Sequence, residues 1–195
     1  MKKRIITISR EFGSGGRFIG EEVAKKLGIA YYDKNIIHKI AEQSGLSPEY
    51  IEKNAELSPR KGMFAYAFSG RDMAGKSVED AVYEAQCRII QNIAEKEPCV
   101  IIGRNADYVL RDRSDVLNVF IHGAEKEKTE RICKLYHVTE KEAIKMMSDV
   151  DKRRMANYNF YTEQKWGKAS NYSLALNSSQ LGYELCEELI MACVK

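Results

Sequence analysis

Residues 5–28 read as a strand, a glycine loop and a helix in immediate succession. Ile5-Ile6-Thr7-Ile8-Ser9 is a short β-branched apolar run, and Gly13-Ser14-Gly15-Gly16 follows it closely. Arg17 to Leu27 then sets Ile19, Val23 and Leu27 at helical spacing, and Gly28 stands where such a helix stops. A strand that passes through glycines straight into a helix is the first half of a βαβ unit, and it commits the chain to a parallel sheet. It also builds an anion site, because consecutive backbone N–H groups converge on one point with the positive end of a helix behind them.

Four further apolar runs continue the rhythm: Ala30 to Tyr32, Cys99 to Ile102, Val116 to Ile121 and Ser173 to Asn177. Amphipathic segments separate them. Val78 to Lys96 carries Val82, Ile89 and Ile93 on one face, with Pro98 just beyond its end, and Ser179 to Cys193 forms a last helix. Ser47-Pro48-Glu49 and Thr139-Glu140-Lys141-Glu142 read as helix starts, with a capping hydroxyl and acids in the first turn. The expected fold is α/β, a five-stranded parallel sheet flanked by helices in three layers. A chain of 195 residues suits one such domain.

Composition removes other classes. Hydrophobic residues at 44% and charged residues at 30% are ordinary for a globular chain, and no apolar run approaches the roughly 20 residues of a spanning helix. Behind the basic Met1-Lys2-Lys3-Arg4 the apolar stretch is only Ile5 to Ile8, too short for a secretory signal. Five cysteines, Cys87, Cys99, Cys133, Cys186 and Cys193, are odd in number and far apart, which suits buried free thiols in a cytoplasmic protein. A net charge of +3, evenly spread, argues against nucleic acid as a partner. The histidines His38, His122 and His137 have no ligand partners at zinc spacing.

Two loops compete for a phosphate. Gly70-Arg71-Asp72-Met73-Ala74-Gly75-Lys76-Ser77 fits G-x-x-x-x-G-K-[ST] letter for letter. The stretch before it, Met63 to Phe68, is rich in Ala and aromatics and lacks the β-branched residues of a buried strand. Ser77 there serves equally as a helix cap, with Asp80 three residues on. The N-terminal loop has the right context and the wrong letters: Arg17 sits near the place of the lysine, and Phe18 or Ile19 falls where a Ser or Thr would bind magnesium. Context favours the N-terminal loop.

The run Ile8-Ser9-Arg10-Glu11-Phe12-Gly13-Ser14-Gly15-Gly16-Arg17, with Ile19-Gly20 and Lys26-Leu27-Gly28, resembles the opening of the cytidylate kinase-like family. Tyr32-Asp33 is similar to the segment at that family's nucleotide acceptor site, and Lys39 falls at a phosphate-binding Arg. Val100-Ile101-Ile102-Gly103-Arg104-Asn105 resembles the strand ending in Gly-Arg-Asp, whose Arg holds the acceptor phosphate. Val119 to Ala124 with Arg131, then Asp151-Lys152-Arg153-Arg154, resemble the strand and helix ahead of the lid and the arginine-rich lid itself, and Leu174 to Ser179 the final strand. The resemblance spans residues 4 to 193. It implies phosphoryl transfer from ATP, with Mg2+, to a nucleoside monophosphate, CMP or dCMP. It also implies a helical acceptor-binding region over 33–98 and a lid over about 139–168.

That chemistry needs two phosphates held in line and their charge neutralised, which planar guanidinium forks do well. The implied roles are Gly13, Ser14, Gly15, Gly16 and Arg17 on the donor phosphates, and Asp33, Lys39 and Arg104 at the acceptor. Arg131, Arg153 and Arg154, together with Arg17, act at the transferring group. Plainer readings stand beside these. Arg17 faces solvent at a helix start, Asp33 caps a helix from Asn35, and Arg153 and Arg154 belong to a solvated face. Tyr158, Phe160, Tyr161 and Trp166 pack a helix on the body in preference to stacking on bases. A nucleotide-binding protein without turnover, or a kinase for another small acceptor, shares most of these features.

Overall fold

The structure is a computed structural model and describes residues 3–33, 36, 38 and 78–194. Gly70 to Ser77, Lys39 and the helix start at Ser47 lie outside the described residues. The described elements are β1 (Ile5–Arg10), α1 (Gly16–Leu27), β2 (Ala30–Tyr32), α2 (Val78–Lys96), β3 (Cys99–Ile102), α3 (Ala106–Val109), β4 (Val116–His122), α4 (Glu125–Tyr136), α5 (Glu140–Thr162), a 3-10 turn (Ala169–Asn171), β5 (Leu174–Asn177) and α6 (Ser178–Ala192). All strand pairs are parallel, in the order β2-β3-β1-β4-β5.

The two faces of the sheet follow from the period of two along each strand. Ile5, Cys99, Ile101 and Val116 face one layer, where α2 contributes Val82, Ala85, Ile89 and Ile93 and α3 adds Ala106 and Val109. Ile6, Ile8, Val100, Ile102, Val119 and Ile121 face the other, against Ile19, Val23 and Ala24 of α1 and Cys186 and Ile190 of α6. Both faces are covered, which is why every residue of β1 and β3 is buried.

A third cluster, Ile132, Ala143 and Met147, joins α4 to α5. The start of α5 is a capping box: Thr139 Oγ1 accepts from the Glu142 N–H, and Glu142 accepts from the Thr139 N–H at 2.9 Å. No helix among the described residues is long and apolar enough to cross a membrane.

The expected elements appear with small shifts. β1 runs on to Arg10 and β4 to His122, and the last helix breaks at Gly182, whose φ of 74° and ψ of 167° leave the helical region. Of the cysteines, Cys99 and Cys186 are buried, whereas Cys193 is exposed. Tyr158 is buried, Tyr161 stacks on Tyr83 at 3.9 Å and Trp166 meets Phe120 edge-on at 5.3 Å; Phe160 departs from the expected packing and is 52% exposed.

Candidate phosphate-transfer site

The glycine loop leaves β1 at its carboxyl end, where ligands gather in open parallel sheets. Gly13 and Gly15 hold φ of 84° and 79°, a region that side chains rarely adopt. Space forbids side chains as well. A Cβ on Gly13 would stand 2.9 Å from Ile132 Cδ1, and one on Gly15 2.5 Å from the Tyr183 ring. The loop is braced from below by Ser14 Oγ donating to the Glu11 carbonyl at 2.9 Å and Ser178 Oγ donating to the Ser14 carbonyl at 2.7 Å.

The first rung of α1 is the Ile19 N–H to the Gly15 carbonyl at 3.0 Å, so the N–H groups of Gly16, Arg17 and Phe18 precede the helical ladder. The first turn holds no acid and one cation, Arg17, the reverse of what an empty helix N-terminus prefers. A negatively charged ligand resolves the mismatch.

That end of α1 opens on a cavity of about 490 Å³ lined by the glycine loop and four arginines, Arg10, Arg17, Arg131 and Arg154. Each comes from a different element. Arg10 ends β1 and is buried; Arg17 opens α1; Arg131 lies on α4, where its Nη1 donates to the Tyr183 hydroxyl at 2.6 Å; and Arg154 lies on α5, where its Nη1 donates to the Arg10 carbonyl at 3.2 Å. Arg153, one residue away on α5, stands outside this lining.

Arg17 also reaches sideways. Its guanidinium pairs with Asp33, which follows β2 and is buried, while the Arg17 side chain stays 54% exposed. Partial burial pulls the guanidinium's affinity for its proton down, and Asp33 with the Tyr31 hydroxyl more than offsets this, leaving it above the ordinary value.

A second, narrow cavity of about 20 Å³ adjoins the first and is lined by Ser9, Arg10, Gly103, Arg104, Asn105, Arg154, Tyr158 and Trp166. Arg104 is buried there by an unusual backbone. Gly103, Arg104 and Asn105 are left-handed in succession, with φ of 65°, 63° and 54°. Two such non-glycine residues together cost about 2 kcal/mol or more and persist only where neighbours hold them. The neighbours here are Gln86, whose Nε2 donates to the Arg104 carbonyl at 2.9 Å, and Asn157, which accepts from Asn105 Nδ2 at 3.1 Å.

Beneath lies a buried hydroxyl–carboxylate contact, the Tyr158 hydroxyl donating to Asp107 at 2.7 Å. Burial pushes the Asp107 carboxyl up to about 6, against the pull of Tyr158 and nearby N–H groups.

Comparison with known proteins agrees with this architecture. The model of the cytidylate kinase-like family matches residues 5–180. The chain belongs to the cytidylate kinase-like family. No curated protein matches the sequence. Among solved structures, an uncharacterized protein from Eubacterium ventriosum ATCC 27560 is 27% identical, with a TM-score of 0.76 and 98% of each chain covered. Shikimate kinase from Bacteroides thetaiotaomicron is 15% identical with a TM-score of 0.54, covering 96% of each chain. Shikimate kinase from Acinetobacter baumannii is 12% identical, also at 0.54, over 97% of this chain and 91% of that one. These last two share the fold of P-loop kinases.

Of the residues singled out in this family member's sequence, Gly13, Gly15, Gly16, Arg17, Arg131 and Arg154 share one cavity, and Arg104 lies in the adjoining one. Asp33 reaches the first through Arg17. Sequence reasoning passed over Arg10, Tyr183, Gln86 and Asn157. A charged residue directly after the β-branched run was the available sign for Arg10.

Proposed function

We propose that this chain is a kinase that moves the terminal phosphate of ATP to a nucleoside monophosphate, CMP or dCMP. The observation that carries the reading is the convergence of four arginines from four elements on one cavity with the glycine loop. Such a cavity suits a polyphosphate, because guanidinium forks grip phosphate oxygens in pairs and keep their charge at every physiological pH.

In this reading the N–H groups of the glycine loop take the donor phosphates. Arg104, with Lys39 and Asp33, receives the acceptor. Arg131 and Arg154, with Arg153 beside Arg154 on its helix, close over the transferring group, and residues of about 139–168 act as the lid. The attacking phosphate oxygen is already anionic, so no side chain has to remove a proton. The match to the cytidylate kinase-like family is what supports this choice of acceptor.

Magnesium normally accompanies such a nucleotide. Among the described residues the glycine loop does not offer the usual hydroxyl ligand: Phe18 is 45% exposed and Ile19 fully buried at those positions, and the hydroxyls of Ser14 and Ser178 are turned to backbone carbonyls. This absence of a hydroxyl favours one second reading, a protein of the same fold that binds the nucleotide without turnover.

The test is an ATP-consumption assay with magnesium against CMP, dCMP, UMP, AMP and GMP. Turnover with CMP or dCMP, lost in Arg104→Ala, is the expected result. Tight ATP binding with no acceptor consumed would overturn the kinase reading in favour of the binder, and turnover with another acceptor alone would overturn the cytidylate assignment.

A further inference from the structure

The first residue of α1 has no room for a side chain. Gly16 opens α1 directly after the loop, and a Cβ there would stand 2.7 Å from Arg10 Cβ and 3.1 Å from Ile121 Cβ. Both neighbours are strand side chains close to the backbone, so neither can swing aside as the end of a flexible chain would. What fills the space is the stem of Arg10 itself.

The parity of β1 explains why. Ile6 and Ile8 face α1, and side chains two apart share a face, so Arg10 continues that row at the point where the strand passes beneath the start of α1. Arg10 lines the cavity of about 490 Å³ that holds the glycine loop and also the narrow one that holds Arg104. Arg154 is the other residue common to both linings, and its Nη1 donates to the Arg10 carbonyl at 3.2 Å. Arg17, the cation that sequence order puts nearest the lysine, is instead turned toward Asp33 beside β2.

We propose that Arg10 is the cation that bridges donor and acceptor phosphates, in place of the loop lysine. This rests on the kinase reading above. In the transfer, the bond from the terminal phosphorus to the β-γ bridging oxygen breaks and a bond to an oxygen of the acceptor phosphate forms. Arg10 moves no proton. It holds oxygens of the transferring group while negative charge shifts onto the leaving diphosphate, which is where a preorganised guanidinium acts most strongly.

The experiment titrates wild type, Arg10→Ala, Arg10→Lys and Arg17→Ala with ATP and with inorganic tripolyphosphate by calorimetry. It also measures turnover with the accepted nucleotide, with and without free guanidinium. For Arg10→Ala the expected result is a loss of about 100-fold in kcat, partly restored by free guanidinium, with tripolyphosphate affinity down at least about tenfold. Arg17→Ala should weaken tripolyphosphate less. Arg10→Lys keeps the charge and the stem, so it should bind tripolyphosphate within a few-fold of wild type yet lose at least about tenfold in kcat.

If Arg10→Ala does not fold, Arg10→Lys decides: unchanged kcat in that variant overturns the proposal. So does an Arg10→Ala protein whose affinity and kcat both stay within about threefold of wild type. Should the wild type bind tripolyphosphate while phosphorylating no acceptor, the kinase reading falls and the loss of affinity in Arg10→Ala still decides whether Arg10 is the phosphate cation. A wild type that binds neither ATP nor tripolyphosphate overturns both.

Discussion

The backbone N–H of Phe12 donates to the Asp151 carboxylate at 2.8 Å, tying the glycine loop to a helix 139 residues further along the chain. Asp151 also lies 3.4 Å from Arg154 Nη1, so one carboxylate sets both the loop and the arginine that faces it. Burial pushes the Asp151 carboxyl above its usual range, opposed by the Phe12 N–H and Arg154. Asp151→Ala removes the acceptor of a partly buried, charge-assisted bond, and it is expected to cost about 1–2 kcal/mol in chemical denaturation. The same variant should bind ATP more weakly, since Arg154 loses one of its anchors. Unchanged stability and affinity would show that the loop and α5 are positioned independently.

A second prediction concerns crowding at the start of α1. Gly16→Ala pushes a methyl into Arg10 and Ile121, whereas Gly28→Ala meets no atom within 4 Å and has only its φ of 63° to strain it. Gly28→Ala should cost about 1 kcal/mol and Gly16→Ala about twice that or more. Equal thermal midpoints for the two variants would contradict the packing described for Arg10.

The elements of the fold were legible because apolar runs and helical stripes are local signals. β3 falls where its apolar run puts it, since both faces of the sheet are covered, and α2 where its one-sided apolar stripe does. The site was legible only in part. Arg104 stood out because it follows a buried strand and a glycine. The choice between Arg153 and Arg154 was not legible, because adjacent helical residues point about 100° apart and only packing decides which one meets the cavity. Arg10 was hidden for a related reason. Its role depends on strand parity and on the crossing of β1 under α1, neither of which a run of letters shows. The pairing of Arg17 with Asp33 likewise needs the end of β2 to lie beside the start of α1.

That pairing gives a third prediction. Arg17 is more than half exposed, so its ion pair with Asp33 is screened by solvent and should contribute less than about 1 kcal/mol. Arg17→Ala is expected to shift the denaturation midpoint only slightly at low salt and not at all near 1 M salt. A large loss that persists at high salt would mean that Arg17 is held by packing.

Asp107 supplies a pH dependence. Its folded carboxyl titrates at about 6, above the ordinary 3.8, so proton binding favours the folded state. This contribution is full below the unfolded value and is lost as pH rises through about 6. Relative to Asp107→Asn, the wild type should therefore gain stability, on the order of 2–3 kcal/mol, as pH falls from 7.5 to 4. The difference between the two thermal midpoints across that range is the measurement. A constant difference would place Asp107 in a more polar environment than its contact with Tyr158 implies.

The central claim is that the N-terminal glycine loop, and not the better-spelled Gly70 to Ser77, holds the donor phosphates. Transfer of labelled terminal phosphate from ATP, measured side by side in wild type, Gly15→Ala and Lys76→Ala, tests it most directly. Gly15→Ala drives a methyl against the Tyr183 ring and should lose nearly all transfer and ATP affinity, while Lys76→Ala keeps both. Loss of ATP binding in Lys76→Ala, with Gly15→Ala as active as wild type, would contradict the account.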